Sequence, residues 1–320
     1  MSMTTIGTHT TSAEERNALE TVSLSKRYGT TWALQDCSFT LPAGRVGALV
    51  GPNGAGKTTL LHLAVGLLEP TSGSVRVFGS FPRAQAKEVL PRIGFVAQDH
   101  PLYGGFTVAE MHRLGRALNP RWDDEAARRR VERLGIPLDR RIRKLSGGQQ
   151  AQVALGMALA KRPELVLLDE PLASLDPLAR REFLRTLMDA VREHHLSVLL
   201  SSHIVADLER VCDYLIILSA SRVQVAADIG EILRTHATLT VPRAEVDVVA
   251  AAHTVLEAEP SGQWTRLLVR LGDAAIEPEW QQDAASLEAI VLAYLGQPAR
   301  DTVGRMPAAG AAQNRMEVAR

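Results

Sequence analysis

Three stretches of this 320-residue sequence predict an α/β fold. Residues 46–50 and 165–168 are short, almost unbroken apolar runs and 197–201 is an apolar stretch between two serines, the pattern of parallel strands buried on both faces. Helix-length segments follow the first two, an apolar one at 59–68 and a long one at 178–194. The first run also feeds a glycine-rich loop that opens a helix, which is where ligands gather in such sheets.

That loop comprises Gly51, Pro52, Asn53, Gly54, Ala55, Gly56, Lys57, Thr58 and Thr59 and fits the pattern G-x-x-x-x-G-K-[ST]. Its glycines let backbone N–H groups converge on nucleotide phosphates. Lys57 reaches the β and γ phosphates, and the Thr58 hydroxyl ligates Mg²⁺. The amides of the following helix's first turn add to the anion site. A chance glycine-rich turn is disfavoured, because strand, loop and helix occur in the order that phosphate binding requires.

Lys plus Arg and Asp plus Glu both total 36, a net charge of zero. A nucleic-acid partner normally shows as a basic surplus, so none is expected. The two cysteines, Cys37 and Cys212, match neither a disulfide framework nor a zinc spacing, and a reducing compartment is the simpler inference. No run of 18 uninterrupted apolar residues occurs, and the first ten residues lack the apolar core of a secretory signal. A soluble chain is expected, for which membrane work requires a partner.

Residues 1–18 are polar and expected to be disordered, and 19–25 alternate like an edge strand. Tyr28 follows; an aromatic there stacks on a base or serves as a partly buried structural residue. Residues 32–41 read as a strand, 71–74 as a hairpin turn before a strand at 75–78, and 93–97 as a short buried strand. Gln98 stands at that strand's carboxyl end, where it either orients water and touches Mg²⁺ or simply caps the strand. Residues 107–134 are helical and Arg-rich, mostly a solvated face.

Ser146, Gly147, Gly148 and Gln149 open an amphipathic helix to about Lys161, with Ser146 as N-cap. The same helix start also presents amides and a hydroxyl to an anion. The run 165–168 ends in Asp169 and Glu170, two acids that are costly at a buried strand end unless used. Asp169 is placed for Mg²⁺ and Glu170 for the water that attacks a γ-phosphate. His203, after the strand 197–201, shares their sheet edge and can hydrogen-bond the γ-phosphate.

Together these residues resemble the ATP-binding subunit of an ABC transporter, over about residues 19–233. Six features occur in that family's order: Tyr28, the Walker A loop 51–59, Gln98, the signature 145–149, the Walker B run 165–170 with Asp176 behind it, and His203. The resemblance implies a P-loop ATPase fold of ABC type, with a mixed sheet, an antiparallel β subdomain and a helical subdomain at about 99–150. It implies ATP and Mg²⁺ as ligands and a second ATPase subunit facing the first head to tail. Each ATP would then lie between one copy's Walker A and the other's Ser146, Gly147, Gly148, Gln149 and Asp176. Tyr28 would stack on adenine, Lys57 and Thr58 would hold phosphate and Mg²⁺, Gln98 would sense the γ-phosphate and touch the metal, and Asp169 would serve the metal. Glu170 would polarise the water and His203 would contact the γ-phosphate.

Residues 235–296 lie beyond that core and read as a small α+β appendage: strand 237–241, helix 244–253, two strands around Ser261 and Gly262, and helix 286–295. Residues 297–320 are expected to be a disordered tail. The appendage and the segment 119–123 are most similar to ATPase subunits of ABC-2 type exporters. The expected function is therefore an ATPase, peripheral on the cytoplasmic face of the membrane, energising export of a drug, antibiotic or lipid-like compound by a separately encoded permease. The segment from about His100 to Met111, with Phe106 and Met111 as apolar anchors, is expected to dock a permease helix. A soluble ABC ATPase working on ribosomes or DNA is the alternative, disfavoured by the single cassette, the absence of a long coiled coil and the neutral charge. A module that binds ATP without hydrolysing it is disfavoured by Glu170 and His203.

Overall fold

The computed structural model describes residues 17–296. Its main sheet has six strands, in the order β5 (Ile93–Val96), β6 (Leu165–Leu168), β7 (Ser197–Ser202), β3 (Val46–Val50), β8 (Tyr214–Ser219) and β9 (Arg222–Asp228). The first five are parallel, and β9 runs antiparallel to β8. Every residue of β3, β6, β7 and β8 is buried, which is why these strands are continuous apolar runs. Their side chains alternate between two cores. Ala48, Val166, Leu200 and Ile217 belong to one, and Leu49, Leu167, Leu199 and Ile216 to the other.

The second core is closed by α1 (Lys57–Ala64), the short α2 (Ala86–Val89) and a three-stranded antiparallel sheet in the order β2 (Thr31–Pro42), β1 (Asn17–Tyr28), β4 (Ser72–Val77). Strand β1 is therefore central, where its sequence reads as an edge strand. Its alternation comes from one face on the core and one towards solvent, an antiparallel pattern that does not distinguish edge from centre. The expected hairpin turn at 71–74 is strand from Ser72 on: Ser72, Ser74 and Val75 pair with β1, and Gly73, at the register shift between them, takes φ +74° with its Cα against Ser23. A Cβ there would lie 2.2 Å from the Ser23 carbonyl, so the glycine marks a close backbone approach and not a turn.

Between β5 and β6 lies a helical insert of α3 (Val108–Leu118), α4 (Asp124–Arg133) and α5 (Gly147–Ala160), with a core of its own that includes Met111, Val131, Ile142 and Val153. The segment 107–134 is two helices because Pro120 cannot donate to a helical ladder and Asp123 starts a new one by accepting the Ala126 N–H at 2.9 Å. Asp176 accepts from Leu178 and Ala179 N–H at the head of α6 (Pro177–His194), which has proline at its first position. With α5, α7 (Val205–Leu208) and α8 (Ile229–Thr235), α6 covers the first core.

The last segment forms a four-stranded antiparallel sheet, in the order β11 (Thr254–Ser261), β12 (Trp264–Arg270), β10 (His236–Pro242), β13 (Gln281–Ala284), with α9 (Val246–Ala252) against it. Strand β13, Gln-Gln-Asp-Ala and wholly exposed, carries no apolar alternation by which its sequence announces it. The final helix, α10 (Leu287–Gly296), bridges this sheet and the main core. Leu287, Ile290, Val291 and Tyr294 join the main core beside Leu215, Ile217 and Ile232. The disorder expected for 1–16 and 297–320 lies outside the described residues, while Asn17 and Ala18 belong to β1. Cys37 and Cys212 are free and buried.

Candidate functional site

The carboxyl ends of β3, β6 and β7 meet at one edge of the main sheet, and the loop 51–56 runs from β3 into α1. Glycine is required there by space. A Cβ on Gly51 would sit 2.3 Å from the Leu218 carbonyl, and one on Gly56 would sit 2.2 Å from that of Ala33, at φ +105°. Gly54 takes φ +81°. Gly56 caps α1 without any side-chain hydrogen bond, so the first-turn N–H groups receive no acceptor from the cap. A cradle of backbone N–H groups that side chains cannot fill, headed by a helix start, fits a phosphate. Thr58 is exposed at its rim, and Pro52 and Asn53 lie on its outer surface.

Lys57 arches back over this loop. Its ammonium donates to the carbonyls of Gly51, at 2.8 Å, and Pro52, at 3.2 Å, and lies 3.1 Å from Glu170 Oε1. Both side chains are almost wholly buried, at 6% and 8% exposure. The other Glu170 oxygen, Oε2, is 2.7 Å from His203 Nδ1. Glu170 takes φ +47°, a rare conformation for a non-glycine residue, which places it where β6 breaks into the Pro171 turn. Asp169 is 1% exposed. Ser201, buried in β7, accepts the Glu170 N–H at 2.7 Å and donates to Asp169 Oδ1 at 2.9 Å. The structure thus joins Lys57, Glu170, His203 and Asp169 into one cluster, and adds Ser201, which the sequence reading passes over as the end of a strand.

The other predicted residues stand elsewhere. Ser146 and Gln149 form a capping box: Ser146 Oγ accepts the Gln149 N–H at 3.2 Å, and Gln149 Oε1 accepts the Ser146 N–H at 3.1 Å. Gly147 and Gln98 line a cavity of about 320 Å³ with His100, Gln150 and Ser174. Gly148 is held to glycine by Ala179, whose Cβ would be 2.9 Å from an added one. Asp176 uses its carboxylate to cap α6. Tyr28 is half-exposed, with Lys26 Nζ 5.4 Å from its ring centre. Among the described residues no hydrogen bond joins Tyr28 or the capping box to the Lys57–Glu170 cluster.

One predicted contact is corrected. Met111 is 4% exposed and packs inside the insert's core, so it cannot anchor another protein. Tyr103 and Phe106 face outward instead, at 62% and 38% exposure, their rings 5.2 Å apart. A helical period places Met111 on the same face as Val108, but sequence alone does not say which partner that face meets.

A family model described as "ABC transporter" matches residues 34–173. The chain is 26% identical to the ABC transporter ATP-binding protein YtrB of Bacillus subtilis, over 87% of this chain and 98% of that protein. It is 36% identical to the Nod factor export ATP-binding protein I of Rhizobium johnstonii, over 64% of this chain and 67% of the relative. It is 33% identical to the sulfate/thiosulfate import ATP-binding protein CysA of Escherichia coli, of which it spans only 63%. A solved structure titled "Structure of ATP binding subunit of ABC transporter" superposes with a TM-score of 0.60 at 30% identity, over 68% of this chain and 92% of that one. Among the described residues no helix is long and apolar enough to cross a membrane. With its phosphate-binding loop, its strand-end carboxylates and these likenesses, the chain belongs to the ATP-binding subunits of ABC transporters and is an ATPase.

Proposed function

We propose that this subunit hydrolyses MgATP between two head-to-tail copies and drives export through a separate membrane permease, on whose cytoplasmic face it sits. The observation that carries the catalytic part is the chain of contacts from buried Lys57 through buried Glu170 to the half-exposed His203. Glu170 is the acceptor that takes a proton from water, and His203 orients that carboxylate from its far oxygen. Lys57 offsets phosphate charge. Asp169, oriented by Ser201, and Thr58 are the oxygen donors for Mg²⁺, which when bound neutralises charge on the phosphates. Tyr28 stacks on the base, and Gln98 relays the γ-phosphate's presence towards the helical insert.

Glu170→Gln is expected to keep ATP binding while hydrolysis falls ~10²–10⁴-fold, the usual loss of a general base. Phosphate release and a labelled-nucleotide titration measure the two, and near-normal turnover would remove Glu170 from this role.

The two-copy reading rests on α5, whose start at Ser146 is exposed although it is built like an anion-binding helix end. In a two-fold pair it serves the partner's nucleotide. Ser146→Arg and Lys57→Ala should each abolish hydrolysis alone. Mixed, they form dimers with one intact composite site, and recovered activity in the mixture is the expected result. No recovery counts against the head-to-tail arrangement.

Outward transport is supported by the 36% identity to an export ATPase and by the chain leaving over a third of the importer's ATPase without counterpart. Co-purification with a permease and transport into inverted vesicles test it, and inward movement of the permease's substrate in cells would reverse the direction.

A further inference from the structure

Away from the nucleotide edge, α4 and α6 enclose a crevice of about 490 Å³ between the helical insert and the main body. Its walls carry Arg129, Arg130 and Arg133 from α4, and Arg185, Asp189 and Glu193 from α6. Most of these charges are matched within the chain: Arg129 by Glu125, Arg185 by Glu182, Asp189 by Arg192. Asp123, at one end, is gripped by Arg162 and by the Ala126 N–H. Arg130 differs. Its Nη1 is fully buried and has no hydrogen-bond partner, the like charge of Arg133 works against its own, and Glu193 and Asp123 favour it only through space. A buried guanidinium N–H without an acceptor is a costly arrangement unless something supplies one.

The floor is α5. Gly148, Gln152 and Gly156 lie four residues apart on one face of that helix. An added Cβ on Gly156 would lie 3.6 Å from Arg130 Cδ, and one on Gly148 would lie 2.9 Å from Ala179 Cβ at the head of α6, so this face looks towards both walls. Gln152, between the glycines, is 5% exposed, and neither its oxygen nor its nitrogen has a partner. Gln152 is not among the residues lining the crevice, which leaves the Arg130 guanidinium as the lining group with an unmatched buried N–H.

We propose that the α4–α6 crevice binds a small oxyanion-bearing solute, with Arg130 and Arg133 gripping a phosphate-type group. Guanidinium forks match such oxygens bidentately, which point charges do not. The ligand bridges the insert carrying Ser146 to the body carrying Glu170, a site separate from the phosphate loop.

Isothermal titration of the full chain with inorganic phosphate and with ribose 5-phosphate, the phosphate loop filled by saturating ADP, reads this site. One saturable event per chain is expected, weakened at least ~10-fold in Arg130→Gln, the cost of losing a hydrogen bond between charged groups. Arg130→Lys, which keeps the charge and loses the fork, should fall between, and ADP binding by each variant reports that it has folded. Lys57→Ala, titrated without nucleotide, should keep the event. Tighter ribose 5-phosphate identifies a phosphorylated organic solute, and equal affinity identifies free phosphate. The proposal is overturned if neither probe saturates, or if binding survives Arg130→Gln and disappears with Lys57→Ala.

Discussion

At the scale of single residues, one hydroxyl sets the geometry of both strand-end acids. Ser201 is wholly buried, holds the Glu170 N–H and donates to Asp169 Oδ1. In Ser201→Ala a buried N–H and a buried carboxylate oxygen each lose their partner, a cost of about 1–3 kcal/mol. We expect hydrolysis to drop by ~10-fold or more, since about 1.4 kcal/mol of lost orientation is already tenfold in rate. ATP affinity should change far less, because the phosphate loop is untouched. Comparing kcat with the nucleotide Kd and the unfolding midpoint separates this from a purely structural role, in which only stability would move. The sequence names Glu170, Asp169 and His203 because charge at a buried strand end is conspicuous. It says little of Ser201, although a serine closing the apolar run 198–200 is a signal of the same kind, weaker because hydroxyls also close strands by bonding their own backbone.

At the scale of elements, the helical insert separates residues that hold it together from residues that it presents. Met111 is buried with Val108, Val131 and Ile142, whereas Tyr103 and Phe106 face outward ahead of α3. Met111→Ala should destabilise the protein by about 2–5 kcal/mol, the range for emptying a core site. Phe106→Ala should leave the unfolding midpoint nearly unchanged and weaken nucleotide-sensitive crosslinking of a cysteine at Tyr103 to the permease. An equal stability loss in both variants would make Phe106 a core residue and remove the docking surface. Elements with strong local chemistry were legible here: α5 from Ser146 and β6 from four apolar residues. Those whose placement depends on a distant partner were not. Strand β4 pairs with β1 across some fifty residues, and β13 is recognisable only by the β10 edge that it completes.

At the scale of the whole molecule, buried imidazoles link widely separated parts of the fold to proton concentration. His236 opens the C-terminal sheet and is fixed between the Ile232 carbonyl, 2.8 Å from Nδ1, and the Tyr294 hydroxyl of α10, 3.0 Å from Nε2. His112 lies in the helical insert beside Trp122, and His100 follows Gln98. Burial is the main cause that lowers the proton affinity of all three. A group with a depressed folded value stays neutral in the native chain while the unfolded chain protonates, so acid favours unfolding. The contribution is therefore complete above about pH 6.5, the ordinary imidazole value, and declines as the pH falls below it. The salt-bridged and capping carboxylates Asp123, Asp124 and Glu164, also depressed, lose their contribution only as the unfolded chain's acids protonate, near pH 4. Between pH 7 and 5 the histidines thus act alone, each able to remove up to about 1.4 kcal/mol per pH unit. Urea midpoints should be flat from pH 8 to 7 and fall steadily from 6.5 to 5. In His236→Gln, which keeps an amide donor and acceptor in place of the ring, the fall should be shallower even if the midpoint at pH 8 is lower. A profile flat to pH 5 would mean that these rings protonate in place, and that the Tyr294–His236 contact can be held by a charged imidazole.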